Sequence, residues 1–433
     1  MDAERVIDAG GASILPAFND AHVHFLMGSR SLGELDLHGL QTQAEIERRV
    51  AEYARAHDGP WVVGRGWFYS AFRGDMPAVE LLDRLVPDRP AYLESFDAHT
   101  GWANSRALAI AGHTPAAGVL KEEAMLTVTR HFPKRTREQD LDALRAGMRL
   151  AASRGIASVQ EAGDGQDQLP LWEELRERGE LTLRVRLAFD LTPRTDVGGY
   201  GDASAGDAWI STGILKAFAD GVVESKTAAM LEPYAGSDDR GDPIWHGDQL
   251  RQAVQAADAR GWQVQVHAIG DAAIRQALDA FAGTTRGRRH RVEHVETPHP
   301  SDVRRFARLG VVASMQPQHS DPALTEVWRR NLGAERASRG WPWRELLESG
   351  AHVAFGTDWP VVPLDPGASI AAAHDIGRDE AIKAWTSGSA YAEHAEREKG
   401  EVREGMLADL AVVDLEDLTV KATVVGGRVV YEA

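Results

Sequence analysis

Short runs rich in Val, Ile, Leu and Phe, most of them closing on polar residues, alternate along the chain with segments of helical periodicity. Eight such runs stand out. They are ILPAFNDAHVH (14–24), IASVQEA (156–162), LRVRLAFD (183–190), GILKAFADG (213–221), WQVQVHAIGD (262–271), HRVEHVE (290–296), VVASMQP (311–317) and HVAFGTDWP (352–360). Apolar runs of this length predict strands covered on both faces, as in a parallel sheet. The segments between them carry helix-start signals. Thr136 and Gln139 form a capping box ahead of Leu141, Leu144 and Met148, and Asp248, Asp271 and Ser301 are placed as N-caps. Eight strands alternating with helices predict an α/β fold of the (β/α)8 TIM-barrel type rather than an open doubly wound sheet.

Two parts do not fit a plain barrel. Residues 27–135 separate the first strand from the second, far longer than an ordinary βα connection. This stretch has its own capping box, Thr42 with Glu45, ahead of Ile46, Val50 and Tyr53, and it is rich in aromatics. It reads as an inserted subdomain over the barrel mouth. Toward the C-terminus, DLAVVDL, KATVV and RVVYE read as short strands, the last two joined by a tight Gly426-Gly427 turn. The expected organisation is a barrel over 14–399, including the 27–135 insertion, with 1–13 and 400–433 forming a small, N-terminally incomplete β-sandwich element.

Composition narrows the function. The 433 residues hold 43% hydrophobic residues, enough for a large buried core, and no cysteine, which excludes disulfides, thiolate metal sites and cysteine nucleophiles. A net charge of −17 argues against nucleic-acid binding and against anionic membrane surfaces. No apolar stretch is long enough to span a membrane, and the polar start MDAERVIDAGG does not read as a signal peptide. Cytoplasm is the expected location.

The chemistry starts at His22-x-His24. Residues i and i+2 of a strand share a face, so both imidazoles are expected to point into the barrel at the C-terminal end of its first strand, where barrel active sites sit. Two neutral imidazoles make half a site for zinc or a similar ion. His267 closes the fifth run, His294 the sixth and Asp358 the eighth, and Lys216 lies within the fourth. A buried ammonium is costly and repels a dication. Either Lys216 is paired with Asp220, Glu161 or Glu224, or it is converted by CO2 into a carbamate that two metals share. Glu161, ending the second run, competes as a bridging ligand.

Several blocks resemble the amidohydrolase superfamily, and within it amidohydrolase family 3, the YtcJ-like and N-substituted formamide deformylase-like enzymes. LPAFNDAHVH is similar to the opening motif, and DAHTGWANSRAL (97–108), GVLKEEA (118–124) and LKAFADGVVESKTAAMLEPY (215–234) to its middle blocks. VHAIGDAA, HRVEHVE, SMQPQH, FGTDWPV and KGEVREGMLADLAVVD (399–414) follow in order. The resemblance implies a metal-dependent hydrolase with a barrel and a composite β-sandwich. It implies His22, His24 and Asp358 on the more buried metal, carbamylated Lys216 as the bridge, and His267 and His294 on the second metal of a binuclear site. One departure is that about a dozen residues precede the first barrel strand, so the C-terminal strands are expected to pair with little unless the chain starts upstream.

The expected function is hydrolysis of a C–N bond, amide or N-substituted formamide-like, in a small-molecule substrate. Asp358, His294 and Lys216 are the catalytic candidates, with one or two divalent ions, most simply zinc. Rival readings are a deaminase, cyclic-amide hydrolase or metal-assisted isomerase on the same scaffold, and a non-catalytic metal-binding protein. Asp97, His99, Trp102 and Asn104 of the insertion and Gln316, Gln318 and His319 after the seventh strand are candidate substrate contacts. Trp67, Phe68 and Tyr69 are expected in the core rather than in a lid, Glu122 in a surface salt bridge, and Arg286 to Arg289 in a solvated loop. A homodimer is the default assembly.

Overall fold

The computed structural model describes residues 6–114 and 118–433, so the start of the expected 1–13 element and residues 115–117 of the insertion lie outside the described residues. Eight parallel strands form the central sheet: Phe18–Val23, Ile156–Glu161, Arg184–Asp190, Ile210–Phe218, Gln263–Ala268, Arg291–His294, Val312–Met315 and Val353–Phe355. Seven lie within the apolar runs, the fourth starts three residues ahead of its run at 213–221, and consecutive strands pair along the sheet. Helices pack outside, and the sheet curls into a nearly closed (β/α)8 barrel.

The first and eighth strands are not partners in a ladder. Side-chain and loop bonds close the seam between them. Asp20 accepts from the Thr357 amide (3.0 Å) and hydroxyl (2.6 Å), the Asp358 amide donates to the His22 carbonyl (2.7 Å), and the His24 amide donates to the Trp359 carbonyl (2.9 Å). The approach is close enough to require glycine at 356, because a Cβ there would lie 2.5 Å from the His22 nitrogen.

The run 14–24, read from the sequence as one strand, is two. Ser13–Pro16 leaves the barrel and pairs antiparallel with Leu410–Val413, while Phe18–Val23 enters it. Pro16 ends the first piece, as suits a residue with no amide hydrogen to give a further ladder. The C-terminal strands therefore have a partner. The small sheet runs in the order 13–16, 410–413, 420–425 and 428–432, and Gly426 and Gly427 turn its hairpin at φ +57° and +78°.

The insertion folds around its own five-stranded sheet, Leu35–Asp36, Val62–Trp67, Ala91–Ser95, Thr100–Ala103 and Val119–Lys121. Trp67, Phe68 and Tyr69 are buried in its core, as expected. Both capping boxes, Thr42 with Glu45 and Thr136 with Gln139, are present. Asp248 occupies the cap position of its helix. Two helix starts differ from expectation. Gly270, not Asp271, precedes its helix, and Asp271 accepts instead from the Leu231 amide. Pro300 opens the next helix behind His299, whose ring accepts from the Ser301 amide. In the Arg286–Arg289 segment Arg286 and Gly287 are exposed, as expected, while the half-buried Arg288 pairs with Asp258 and Arg289 with Glu396 and the Tyr391 ring. No helix among the described residues is long and apolar enough to cross a membrane.

Candidate metal centre

His22, His294 and Asp358 bring one ligand atom each to within 4.8 Å of one another, and all three are buried. They arrive from the first, sixth and eighth strands, at the C-terminal end of the barrel. The backbone turns unusually to place them. His294 follows the buried Glu293 directly, so plain alternation would send the two to opposite faces. His294 and Val295 both adopt positive φ (72° and 50°), ending the regular strand, and both Glu293 and His294 reach the cluster. Asp358 has φ 62°, three residues past its strand. Such conformations cost energy and gather at functional sites.

The Asp358 carboxylate faces four imidazoles: His22 Nε2 and His24 Nε2 at 3.4 Å, His319 Nε2 at 3.8 Å and His294 Nδ1 at 3.9 Å. His267 joins from the fifth strand, its ring centroid 4.4 Å from that of His294. Its Nε2 donates to the Gly221 carbonyl (3.1 Å), which leaves the lone pair on Nδ1. Lys216 Nζ lies 3.3 Å from His22 Nε2 and 4.6 Å from the centre of the Phe218 ring. None of the three carboxylates offered as its partner, Asp220, Glu161 or Glu224, is within ion-pair distance. Glu161 is engaged elsewhere. Its Oε2 accepts from the amides of Phe25 and Leu26 at the start of the 25–31 helix, and its Oε1 is 3.9 Å from His24.

Electrostatics prepares these groups for an ion. Burial first, and then neighbouring cations such as Lys216, push His22, His267 and His294 well below the usual imidazole range, and His24 down to about 3. They are therefore neutral, with lone pairs to give. Burial raises Asp358 to about 6 and lowers Lys216 to about 8. Both ring nitrogens of His294 and Oδ1 of Asp358 are buried without a hydrogen-bond partner. These orphaned atoms, brought in by the sixth and eighth strands beside the His22 imidazole of the first, suit a borderline divalent cation such as zinc.

Other expected contacts divide into two sets. His99 ends up 5.4 Å from the His267 ring, and its Nδ1 pairs with Glu122 at 2.9 Å. Burial lowers His99, but the Glu122 charge and hydrogen bond, together with the Asp97 and Asp358 charges, outweigh it and hold the imidazolium up to about 9. Glu122 thus belongs to the rim, where it also accepts from the Thr227 hydroxyl, rather than to a surface salt bridge. His319 stacks 5.9 Å from His294 and faces Glu296 at 3.4 Å. Gln316 is buried with both amide atoms unpartnered. Asp97 is held by Tyr69, Ser95 and the His99 amide. Trp102 and Asn104 stay away from the cluster. Trp102 packs on Phe72 and donates to the Ala78 carbonyl. Asn104 caps the 105–110 helix and bonds Val86, Arg89 and Ala91. Gln318 donates to the Pro363 and Asp365 carbonyls. It lines a cavity of about 960 Å³ between insertion and barrel loops, walled by Phe68, Leu324, Trp341, Val361 and Val362.

One pair escaped the sequence reading. Glu293 Oε2 accepts from His22 Nδ1, and Arg291 holds Glu293 from the other side through Nε and Nη2. Their i, i+2 spacing on one strand was the available signal.

The family model described as the amidohydrolase family matches residues 5–431. The chain is 27% identical to the putative amidohydrolase YtcJ of Bacillus subtilis, over 98% of this chain and 90% of that protein. It is 23% identical to the N-substituted formamide deformylase of Arthrobacter pascens, over 100% of this chain and 90% of that one. Its fold is similar to the crystal structure of an uncharacterized metal-dependent hydrolase from Pyrococcus furiosus, with TM-score 0.72 and 27% identity over 92% of this chain and 86% of the other.

Proposed function

The chain belongs to the amidohydrolase family and is a metal-dependent hydrolase, and from that premise we propose that it cleaves a C–N bond, amide or N-substituted formamide in type, in a small molecule. The observation that carries this reading is the buried meeting of His22, His294 and Asp358 at the C-terminal end of the barrel. Similarity to a deformylase of N-substituted formamides along the whole chain supports the bond type.

His22, His24 and Asp358 would hold one divalent ion, most simply zinc, and His267 and His294 a second. Lys216 would lie between them as a carbamate. Its amine, brought down to about 8 by burial, is available near neutral pH to add to CO2 with loss of a proton. Bound divalent ions polarise a carbonyl oxygen and lower the pKa of water. Asp358, acting through its carboxylate oxygens, takes the proton of the attacking water and returns it to the departing nitrogen. Its raised pKa suits it to hold that proton transiently. His99 and His319 face the cluster from the rim, the first as an imidazolium placed to stabilise developing negative charge.

Metal analysis of the purified chain, paired with assays of formate and amine release from N-substituted formamides, tests the reading. Expected are one or two divalent ions per chain, turnover that a chelator abolishes and zinc restores, and an intact mass raised by one CO2 at Lys216. A metal-free chain, or a metal-loaded chain that releases neither amine nor acid from any amide, would overturn it.

A further inference from the structure

Two carboxylates flank His294 in the chain, and each meets the Nδ1 of a different imidazole. Glu293 holds His22, and Glu296 holds His319, Oε1 to Nδ1 at 3.4 Å. The positive-φ turn at His294 and Val295 separates the two acids, so that they serve different rings. Glu296 is 5% exposed and is itself clamped. Its Oε2 accepts from Trp328 Nε1 at 2.8 Å, and its carbonyl accepts from the Trp341 amide at 2.8 Å. The two indoles stack, with ring centroids 4.4 Å apart and planes 23° from parallel. One oxygen is thus committed to an indole. Among the described residues, His319 is the one basic group within ion-pair distance of the other.

His319 is fixed on every side but one. Its amide donates to the Gln316 carbonyl at 3.0 Å, its ring lies within 12° of parallel to that of His294, and Nδ1 faces Glu296. That leaves Nε2, which is buried with no hydrogen-bond partner and lies 3.8 Å from Asp358 Oδ2. A neutral imidazole has one proton for two nitrogens, and a carboxylate at one nitrogen draws the proton there. The other nitrogen then presents a lone pair. Catalytic hydrogen bonds are often long before substrate closes the site, so 3.8 Å suits a contact that tightens during reaction.

We propose that Glu296 is a positioning residue for the hydrolysis. It keeps the His319 proton on Nδ1 and so turns the Nε2 lone pair to Asp358. When Asp358 takes the proton of the attacking water, its new O–H donates to that lone pair, and the same proton then passes to the departing nitrogen. This rests on the hydrolase reading for the part that Asp358 plays.

The test reads the ring directly. The zinc-loaded chain, with isotopically labelled histidine, is recorded by proton–nitrogen correlation in weakly alkaline buffer, where an ordinary imidazole is neutral. The His319 signals are assigned by their loss in His319→Gln. The proton is expected on Nδ1, and Asp358→Asn should move the Nε2 signal. Glu296→Gln, which keeps an acceptor, should keep that tautomer, whereas Glu296→Leu should pass the proton to Nε2. With an N-substituted formamide, Glu296→Leu should lower kcat by roughly 10- to 100-fold at little change in KM, and should cost nothing further in a His319→Gln background. A wild-type proton on Nε2 overturns the proposal, and decides it even if the Leu variant does not fold. So does a folded Glu296→Leu with the proton still on Nδ1, or a loss of turnover that persists undiminished without His319. A wild type that hydrolyses no formamide would count against the C–N reading alone, because the spectrum is independent of turnover.

Discussion

His22 Nδ1 and Glu293 Oε2 are 2.5 Å apart, with neither side chain exposed to solvent. The bond puts the imidazole proton on Nδ1 and turns the Nε2 lone pair toward Asp358 and Lys216. Such outer partners orient a ligand and raise its basicity. Glu293→Gln keeps an acceptor but removes the charge. It is expected to weaken metal affinity by roughly 10- to 100-fold, read by competition with a chromogenic chelator. Unchanged affinity would mean that the bond only fills space.

Asp358 carries the proton in the proposed reaction. Asp358→Asn retains an oxygen donor but cannot take up a proton. Turnover should fall by about 10²- to 10⁴-fold, the scale of general acid–base catalysis, with bound metal measured alongside. Full turnover with metal in place would remove Asp358 from that role.

Asp20 tests the seam. It is buried and accepts from the amides of His22 and Thr357 and from the Thr357 hydroxyl. Asp20→Ala leaves these donors buried and unmatched, and is expected to cost about 2–4 kcal/mol in urea unfolding. Burial holds the Asp20 carboxyl up to about 7, so it is largely neutral under mild acid. Asp20→Asn should accordingly cost well under half as much as Ala.

His290 gives the chain an acid-sensitive element away from the cluster. Its ring stacks on Phe281, and its Nδ1 accepts from the Val264 amide at 3.0 Å, which requires a neutral ring. Burial lowers it to about 4, against about 6.5 in an unfolded chain. Between those values the unfolded state binds more protons, so stability falls as pH drops. The contribution is complete above about 6.5 and gone below about 4. Moving from pH 7 to pH 5 should cost the wild type about 2 kcal/mol more than His290→Asn. Equal losses in the two proteins would refute this.

The barrel strands were readable because strands covered on both faces must be apolar along their length, and the two capping boxes because cap chemistry is local. The break at Pro16 was hidden, since Leu15, Ala17 and Phe18 stay apolar across a change of sheet. Helix starts at 271 and 301 were off by one or two residues because Gly270 and Pro300 compete for the same positions. The cluster's imidazoles and Asp358 were legible as polar residues ending apolar runs. The Arg291–Glu293 pair was not, because two charges two residues apart on a strand read as solvent-facing until the barrel is seen closed around them. Trp102 and Asn104 show the opposite error: their block is conspicuous, yet both residues build the insertion itself.

The small sheet sets an order of events. Ser13 faces Val413, a separation of about four hundred residues. Closing so long a loop is entropically late. On the ribosome the 13–16 strand must therefore wait, its hydrogen-bonding edge open, until the barrel and the 410–413 strand have been synthesised, and its ladder zips late.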